Sequence, residues 1–346
     1  MLLHEWKTEE AVDRDDRDTF VKSLLLARGT VPIAVTRTRH AQRLGERGAV
    51  LLIHGYGQNR YAWHLPLRSP ANALARMGYD VFIMDLRGHG RSRDFGAPQA
   101  VTVEQHVLED VPIAVREVED ARGERGLFLI GHSLGGLLAY AASPGLGSRV
   151  QGVVSLGSPY YFGAGQNALS RIGDWLLWID GWVGLGRGGM RLHAVSEAAR
   201  MARHLLDRRW MPLPFRGFVP GSIENDVLEQ HLGRAMDFAS FEVMRTLFRD
   251  GVRQRRAHTI GGLDAFASAF ESMDVPLLVV AGRHDDLAPP SSVRPGYERS
   301  KSRDKTYRIL SHGHLDLLVG RDAPRTTWPL LETWLGKRTE PRAVGG

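Results

Sequence analysis

The amino-acid sequence predicts an α/β fold, in which a mostly parallel sheet carries helices on both faces and an inserted helical cap. Apolar runs of strand length recur in the first and last parts of the chain, and several end in glycine-rich turns. Between them, β-branched runs disappear and apolar residues repeat at helical spacing. A chain of 346 residues has room for one core with one such insertion. We therefore predict a core formed by residues 1–162 and 272–346, and a cap formed by residues 163–271.

Two predicted strands in the first part of the chain end in glycine-containing loops. Val50–Ile53 is a continuous apolar run that leads into the sequence His-Gly-Tyr-Gly, and Asp80–Asp85 leads into the loop Arg87–Ser92. Continuous apolar runs of this length are typical of strands that are buried on both faces of a parallel sheet. We expect His54 to have a structural role and His89 to form hydrogen bonds within its loop.

The most informative motif is Gly131–Gly135, which directly follows the apolar run Leu127–Ile130 and precedes small and apolar residues compatible with a helix. A strained strand-to-helix turn exposes the serine hydroxyl, and glycines let strand and helix pack closely around it. The motif therefore predicts that Ser133 is a catalytic nucleophile. The backbone N–H groups of Leu134 and Tyr56 are the predicted oxyanion hole, and the positive end of the helix supports them.

Two late strands supply the remaining groups of a catalytic triad. Val275–Ala281 leads into a loop that contains Asp285, and Tyr307–Leu310 leads into a loop that contains His314. Catalytic groups of open α/β sheets collect at the carboxyl ends of the strands. The chain order serine, aspartate, histidine is that of hydrolases with this serine turn, so we predict Ser133, Asp285 and His314 as the triad.

From about Val31 to Leu335 the sequence resembles the α/β-hydrolase superfamily. Four segments carry the resemblance: His54-Gly55 resembles the oxyanion loop, Gly131–Gly135 the nucleophile elbow, Gly282–Asp285 with Pro289 the acid loop, and Gly313-His314 the histidine loop. The resemblance implies a serine esterase or lipase. The stretches 72–92 and 313–318 are similar to acid lipases and to polyhydroxyalkanoate synthases. Those synthases use a cysteine nucleophile and this sequence has no cysteine, while epoxide hydrolases and haloalkane dehalogenases use an aspartate where Ser133 stands.

Two of these assignments have a competing neighbour. Asp286 could also reach the histidine loop, but the spacing from Gly282 resembles the family at Asp285. His312 could also act as the base, but His314 directly follows a glycine and precedes an apolar run. We therefore favour Asp285 and His314, and expect Asp286 to be a solvated or capping residue.

These residues predict hydrolysis of carboxylic esters through an acyl-enzyme, without a metal or an organic cofactor. Acyl transfer to an acceptor other than water, or hydrolysis of another acyl or C–C bond, would use the same triad and stays an alternative. A noncatalytic ligand-binding protein is disfavoured, because every catalytic position is filled.

The predicted cap contains two apolar stripes at helical spacing. Trp175, Trp178 and Trp182 share one face, and a second stripe runs from Val195 to Leu205. A stripe of this kind usually packs inward, yet a cap rich in large apolar groups leaves some of them facing the serine. We therefore predict a hydrophobic acyl group in the substrate, with these three tryptophans as candidate substrate-binding residues.

Composition restricts the partners. The net charge of +6 comes mainly from arginine, and the pattern of basic and aromatic residues matches no nucleic-acid module. We expect a small-molecule or lipid-like ester as partner, no nucleic acid and no stable membrane insertion, and the oligomeric state stays open. Residues 1–20 contain no apolar signal-peptide pattern, which favours a cytoplasmic location without excluding secretion.

Overall fold

The computed structural model describes residues 1–123, 126–160, 178, 189–208, 217–253 and 264–339. The strands of this part are β1 (Leu2–Asp13), β2 (Asp16–Ala27), β3 (Ile33–His40), β4 (Gly48–Ile53), β5 (Tyr79–Met84), β6 (Leu127–His132), β7 (Val150–Leu156), β8 (Gly189–Arg191), β9 (Phe238–Ser240), β10 (Leu277–Gly282) and β11 (Lys305–Leu310). The α-helices are α1 (Pro70–Arg76), α2 (Gly90–Asp94), α3 (Val103–Gln105), α4 (Val111–Arg122), α5 (Leu134–Leu146), α6 (His193–Met201), α7 (Arg203–Leu206), α8 (Asn225–Gln230), α9 (Phe241–Arg253), α10 (Asp264–Ser272), α11 (Pro290–Arg299), α12 (Asp316–Val319) and α13 (Thr327–Thr339).

Nine strands form one sheet in the order β1-β2-β3-β5-β4-β6-β7-β10-β11. The six strands from β5 to β11 pair in parallel, whereas β1, β2 and β3 pair antiparallel at one edge. Every residue of β5, β6 and β10 is buried, because helices cover both faces of the sheet. One apolar cluster includes residues of α4 and α5, and the other includes residues of α1 and α13. The predicted fold class is confirmed.

The N-terminal hairpin is a feature that we did not predict. β1 and β2 each contain 12 residues and are joined by Arg14 and Asp15. Half of the residues of β1 are exposed, and charged side chains at Glu5, Lys7 and Glu9 interrupt any apolar run in its sequence. An edge strand with one solvated face gives only a weak apolar signal, which explains why the hairpin was missed.

The described part of the predicted cap is mainly helical. It contains α8, a following π-helical turn at His231–Ala235, and α9. The antiparallel pair β8–β9 was not predicted. Trp175 and Trp182 lie outside the described residues, and the cap boundaries at residues 163 and 271 stay a prediction. Among the described residues, no helix is long and apolar enough to cross a bilayer.

The second apolar stripe is largely exposed where the structure describes its side chains. Met201 is 79% exposed and Leu205 is 48% exposed, and Ala198 on the same stripe is also exposed. Among the residues of α6 whose side chains are described, Ser196 is buried. The chain is helical here, but Ala198, Met201 and Leu205 do not pack inward.

The turn into helix α5 packs so closely that two of its glycines, Gly131 and Gly135, have no room for a Cβ. A Cβ placed on Gly135 would lie 2.2 Å from the carbonyl oxygen of Ile53 in β4, and one on Gly131 would lie 2.1 Å from the carbonyl carbon of Gly135. Real Cβ atoms do not approach backbone atoms this closely, so both positions require glycine. At the other end of α5, a Cβ on Gly145 would meet no atom within 4 Å.

We expect Gly135→Ala to lower the free energy of unfolding by about 1–3 kcal/mol or more, because the added methyl group meets backbone that cannot rotate away. Gly145→Ala is the matched control on the same helix, and it should be neutral or raise stability by up to about 1 kcal/mol through higher helix propensity. Urea unfolding of the two variants measures the difference. Equal stability of both variants would contradict the close packing described here.

Candidate active site

Ser133 occupies a strained turn between β6 and α5. Its backbone has φ 55° and ψ −122°, in a region that residues other than glycine rarely adopt. The turn is held in place because the Ser133 N–H donates a hydrogen bond to Leu156 O at the end of β7, over 3.0 Å. Ser133 is only partly buried, whereas both of its neighbours in the chain are buried. This geometry is the nucleophile elbow that the motif predicts.

Asp285 and His314 meet at the same edge of the sheet. Asp285 follows β10, His314 follows β11, and the Nδ1 of His314 donates a hydrogen bond to Oδ2 of Asp285 over 2.7 Å. The other carboxylate oxygen accepts from the N–H groups of Leu287 at 2.9 Å and Ala288 at 2.7 Å. Both side chains are buried, so the pair has a fixed orientation and little contact with water.

Asp286 and His312, the alternative acid and base, form hydrogen bonds with other groups. Asp286 Oδ1 accepts a hydrogen bond from the N–H of Gly217 over 3.3 Å, and no hydrogen bond from His314 to Asp286 is formed within the described residues. His312 is hydrogen-bonded through Nε2 to the hydroxyl group of Thr326 at 2.7 Å. The structure therefore brings Asp285 and His314 together, and gives Asp286 and His312 other partners.

The environment of His314 favours a proton on its imidazole. Burial alone would lower the pKa of His314, but the charge of Asp285 and the hydrogen bond to it raise this pKa above its ordinary value. Asp286 and Asp316 add attraction in the same direction. Such a histidine is stabilised once it has accepted a proton, as a general base requires.

The predicted oxyanion hole lies between the loop after β4 and the start of α5. Tyr56 and Leu134 line the same small cavity, together with Gly55, Leu86 and Val243. Leu134 is the first residue of α5, so its N–H is one of the donors that a helix leaves unpaired at its N-terminus. The Tyr56 hydroxyl donates to Ser240 O over 2.7 Å, and this bond holds the loop against the cap.

Two other histidines near this edge are structural. Leu86 N–H donates to Nε2 of His54 over 3.1 Å, and Nδ1 of His54 donates to Gly55 O over 2.9 Å. The ring nitrogens of His89 lie 2.8 Å from Arg87 O and 2.9 Å from Phe238 O. His54 thus links two strand ends and His89 links its loop to the cap, in agreement with the roles that we expect for them.

Three polar residues at the site were missed by sequence reasoning. Gln58 accepts a hydrogen bond from Gly55 N–H over 3.1 Å, and its amide nitrogen lies 3.4 Å from Nε2 of His231. Buried Asp316 accepts from Gly313 N–H at 2.7 Å and from the Ser222 hydroxyl at 2.7 Å, so it joins the histidine loop to the cap. The only sequence signal for Gln58 is its position just after the His-Gly loop, and His231 carries none.

Of the three predicted substrate-binding tryptophans, Trp178 lies within the described residues. Trp178 is 61% exposed, which is inconsistent with a place in a packed core. Trp175 and Trp182 lie outside the described residues. Their part in substrate binding stays a prediction.

The parallel sheet, the helices on both faces and the nucleophile elbow define an α/β-hydrolase. A family model described as serine aminopeptidase S33 (Hydrolase_4) matches residues 45–319, so the chain belongs to this family. A solved structure of a soluble variant of monoglyceride lipase from Saccharomyces cerevisiae has a TM-score of 0.61 and 17% identity, with 92% of this chain and 96% of that chain covered. This likeness shows the shared fold.

Sequence relatives include proteins with different named activities. Poly(3-hydroxyalkanoate) polymerase subunit PhaC of Haloferax mediterranei is 23% identical over 310 residues, covering 84% of this chain and 59% of that protein. Epoxide hydrolase B of Mycobacterium tuberculosis is 31% identical over 111 residues, covering 32% of this chain and 29% of that protein. Gastric triacylglycerol lipase of Mus musculus is 22% identical over 334 residues, covering 86% of this chain and 83% of that protein. The chain thus spans less than two thirds of the first two of these relatives.

The two adjacent aspartates allow a matched test of the acid. Asp285→Asn should lower kcat by about 10⁴-fold, because the histidine then loses the anion that fixes its tautomer. Asp286→Asn should leave kcat close to the wild-type value, because asparagine keeps the side-chain oxygen that accepts the hydrogen bond from Gly217 N–H. Steady-state ester hydrolysis by the two variants measures this contrast. Equal losses would contradict the assignment of Asp285.

The pKa of His314 predicts the pH dependence of the reaction. The imidazole acts as a base only when neutral, so kcat/KM should fall as the pH decreases through the pKa of His314. Because this pKa is raised, the midpoint of the acid limb should lie above about 6.5, the ordinary value for histidine. A pH profile of kcat/KM for a neutral ester measures the midpoint, and a value well below 6.5 would contradict the prediction.

Proposed function

We propose that this protein is a serine hydrolase that cleaves carboxylic esters through a Ser133-His314-Asp285 triad. The observation that carries the proposal is the buried His314–Asp285 pair, with 2.7 Å between Nδ1 and Oδ2, at the sheet edge where the strained Ser133 turn exposes its hydroxyl group. A turn of this kind is costly unless the surrounding structure requires it, and it is a recurrent feature of hydrolase nucleophiles.

In the proposed reaction, His314 removes the hydroxyl proton as Ser133 Oγ attacks the ester carbonyl. Asp285 holds the imidazole with Nδ1 facing the carboxylate, so that Nε2 is free to take this proton. His314 then gives the proton to the departing alcohol oxygen, which leaves the acyl group on Ser133. Water attacks this acyl-enzyme with the same base, and the acid is released.

The tetrahedral intermediate needs donors for its oxyanion. The N–H groups of Leu134 and Tyr56 are the proposed donors, since both residues line one cavity and Leu134 directly follows Ser133 in the chain. Donors of this kind contribute about 3 kcal/mol each in comparable sites. Gln58 supports them, because it accepts from Gly55 N–H and so orients the peptide that precedes Tyr56.

An ester with a hydrophobic acyl group is the proposed substrate class. The triad and oxyanion donors suit acyl transfer to water, and the gastric lipase relative matches 86% of the chain. An epoxide hydrolase would use an aspartate in place of Ser133, which argues against that reaction. The three cap tryptophans, Trp175, Trp178 and Trp182, remain proposed contacts of the acyl group.

Acyl transfer to an alcohol or thiol acceptor is the second candidate. The observation in its favour is the likeness to the polymerase subunit of Haloferax mediterranei, which extends over 310 residues. The polyhydroxyalkanoate synthases that this sequence resembles use a cysteine as the nucleophile, and this chain contains no cysteine. We therefore rank ester hydrolysis first.

We expect Ser133→Ala to abolish p-nitrophenyl ester hydrolysis and covalent labelling by a fluorophosphonate probe. The change removes the nucleophile and only one atom, so the melting temperature should change little. Ser158→Ala is a suitable control, because it also removes a buried serine hydroxyl, one that donates to the carbonyl oxygen two residues earlier. That variant should still be labelled. Labelling of Ser133→Ala, or unchanged hydrolysis by it, would refute the proposed function.

A further inference from the structure

A histidine from the cap reaches the catalytic edge of the sheet. His231 begins the π-helical turn His231–Ala235 and is 1% exposed. Single π-helical turns are frequent at functional sites, because the extra residue redirects a side chain. Its Nε2 lies 3.4 Å from the amide nitrogen of Gln58, so the residue contacts the loop that carries the oxyanion donor.

The hydrogen bonds around Gln58 determine where His231 carries its proton. Gly55 N–H donates to Gln58 Oε1, which orients the NH₂ group of Gln58 toward His231. Burial, followed by repulsion from His314, lowers the pKa of His231 to about 4, so its imidazole is neutral near neutral pH. Nε2 must then accept from Gln58, and the proton of the neutral ring is on Nδ1.

This Nδ1–H is a buried donor that has no partner in the described part of the chain. A buried donor without a partner is unfavourable, and in native structures it calls for a ligand or a bound water. His132 has a buried acceptor without a partner. Its Nε2 donates to His314 O at 3.1 Å, so its Nδ1 is the acceptor, and this atom accepts no hydrogen bond among the described residues. The region around the triad therefore offers an unused donor and an unused acceptor.

Both groups lie near the atoms that react. A Cβ placed on Gly55 would lie 2.7 Å from Gln58 Oε1 and 3.2 Å from the Cβ of Ser133, so Gln58 and the nucleophile approach the same side of Gly55. The ring centres of His132 and His314 are 4.5 Å apart, and the charge of His314 acts on both His132 and His231. In the proposed reaction His314 protonates the departing alcohol, so groups around His314 face the alcohol part of the ester.

We propose that His231 determines specificity for the alcohol part of the substrate, by donating its Nδ1–H to an oxygen that this alcohol carries close to the ester bond. The inference rests on the proposed function. Preferred substrates are then esters of hydroxylated or alkoxylated alcohols, and simple alkyl esters react more slowly. The bond between the acyl carbon and the alcohol oxygen breaks as the bond to Ser133 Oγ forms, and the serine proton passes through His314 to the alcohol. His231 donates a hydrogen bond and transfers no proton.

The test is a competition between two esters of the same shape. Wild-type protein hydrolyses 2-methoxyethyl butanoate and butyl butanoate in one vessel, and gas chromatography of the two alcohols gives the ratio of their kcat/KM values. This ratio does not depend on how much of the protein is folded. Alkaline hydrolysis of the same mixture gives the intrinsic ratio. We expect the wild-type protein to exceed the intrinsic ratio by about fivefold or more, the effect of one hydrogen bond.

Three variants test whether His231 causes the preference for the methoxyethyl ester. His231→Phe keeps a ring but removes the donor, so its ratio should fall to the intrinsic value. His231→Asn places an amide N–H near the former Nδ1 and should keep most of the preference, which a merely structural role would not explain. His204→Phe is the matched control, since His204 is an exposed histidine of α7 in the cap, and its ratio should equal that of the wild type.

The outcomes separate this inference from the proposed function. A wild-type protein that hydrolyses neither ester nor a p-nitrophenyl ester refutes the proposed function. Hydrolysis that depends on Ser133 but shows only the intrinsic ratio overturns the role of His231, whatever the variants do. A wild-type preference that persists in His231→Phe overturns it as well, and a preference lost in His231→Phe and kept in His231→Asn and His204→Phe supports it.

Discussion

The strained backbone at Ser133 is the constraint on which the rest of the site depends. A positive φ at a residue with a side chain is unfavourable, so the flanking elements must hold it in place. They do so by close contact, since Gly135 touches β4 backbone and a Cβ on Gly136 would lie 1.9 Å from the hydroxyl oxygen of Ser158. The same contacts place the start of α5 beside the loop after β4. One backbone conformation thereby positions the hydroxyl group and both proposed oxyanion donors.

A second set of contacts joins the cap to this loop. Asp237 N–H donates to Gly57 O over 2.8 Å, and Asn59 N–H donates to Ala235 O over 3.0 Å. The side chain of Asp237 accepts from Gly90 N–H, from Asn59 and from Arg93. The segment before and within β9 is therefore bonded to both loops that border the oxyanion cavity. Donors held in this way need little rearrangement when negative charge develops, which is the physical basis of their effect.

Those parts of the molecule in which a short motif directly follows a buried strand can be predicted from the sequence. The strands β4, β5, β6 and β10 consist mainly of apolar residues, and β7 and β11 contain shorter apolar segments. Ser133, Asp285 and His314 each follow one of these strands, so local pattern and topology agree. The edge strand β1 and the pair β8–β9 lack such runs. The contacts of Gln58 with His231, and of Asp316 with Ser222, join residues that lie 173 and 94 positions apart. No local pattern encodes them, because they arise only when the cap is placed on the core.

Several buried histidines lie at this edge of the sheet, and their different surroundings determine which of them can act as the base. Burial lowers the pKa of both His54 and His231 to about 4 and also lowers the pKa of His132, so these rings stay neutral near neutral pH. His314 is equally buried, but Asp285 more than compensates for its loss of hydration and raises its pKa. Because the neighbouring histidines are neutral, they do not repel a proton on His314. The attraction between Asp285 and protonated His314 is therefore largely unopposed. A second charged histidine beside His314 would disfavour protonation of the base, and hence the transition state in which it takes the serine proton.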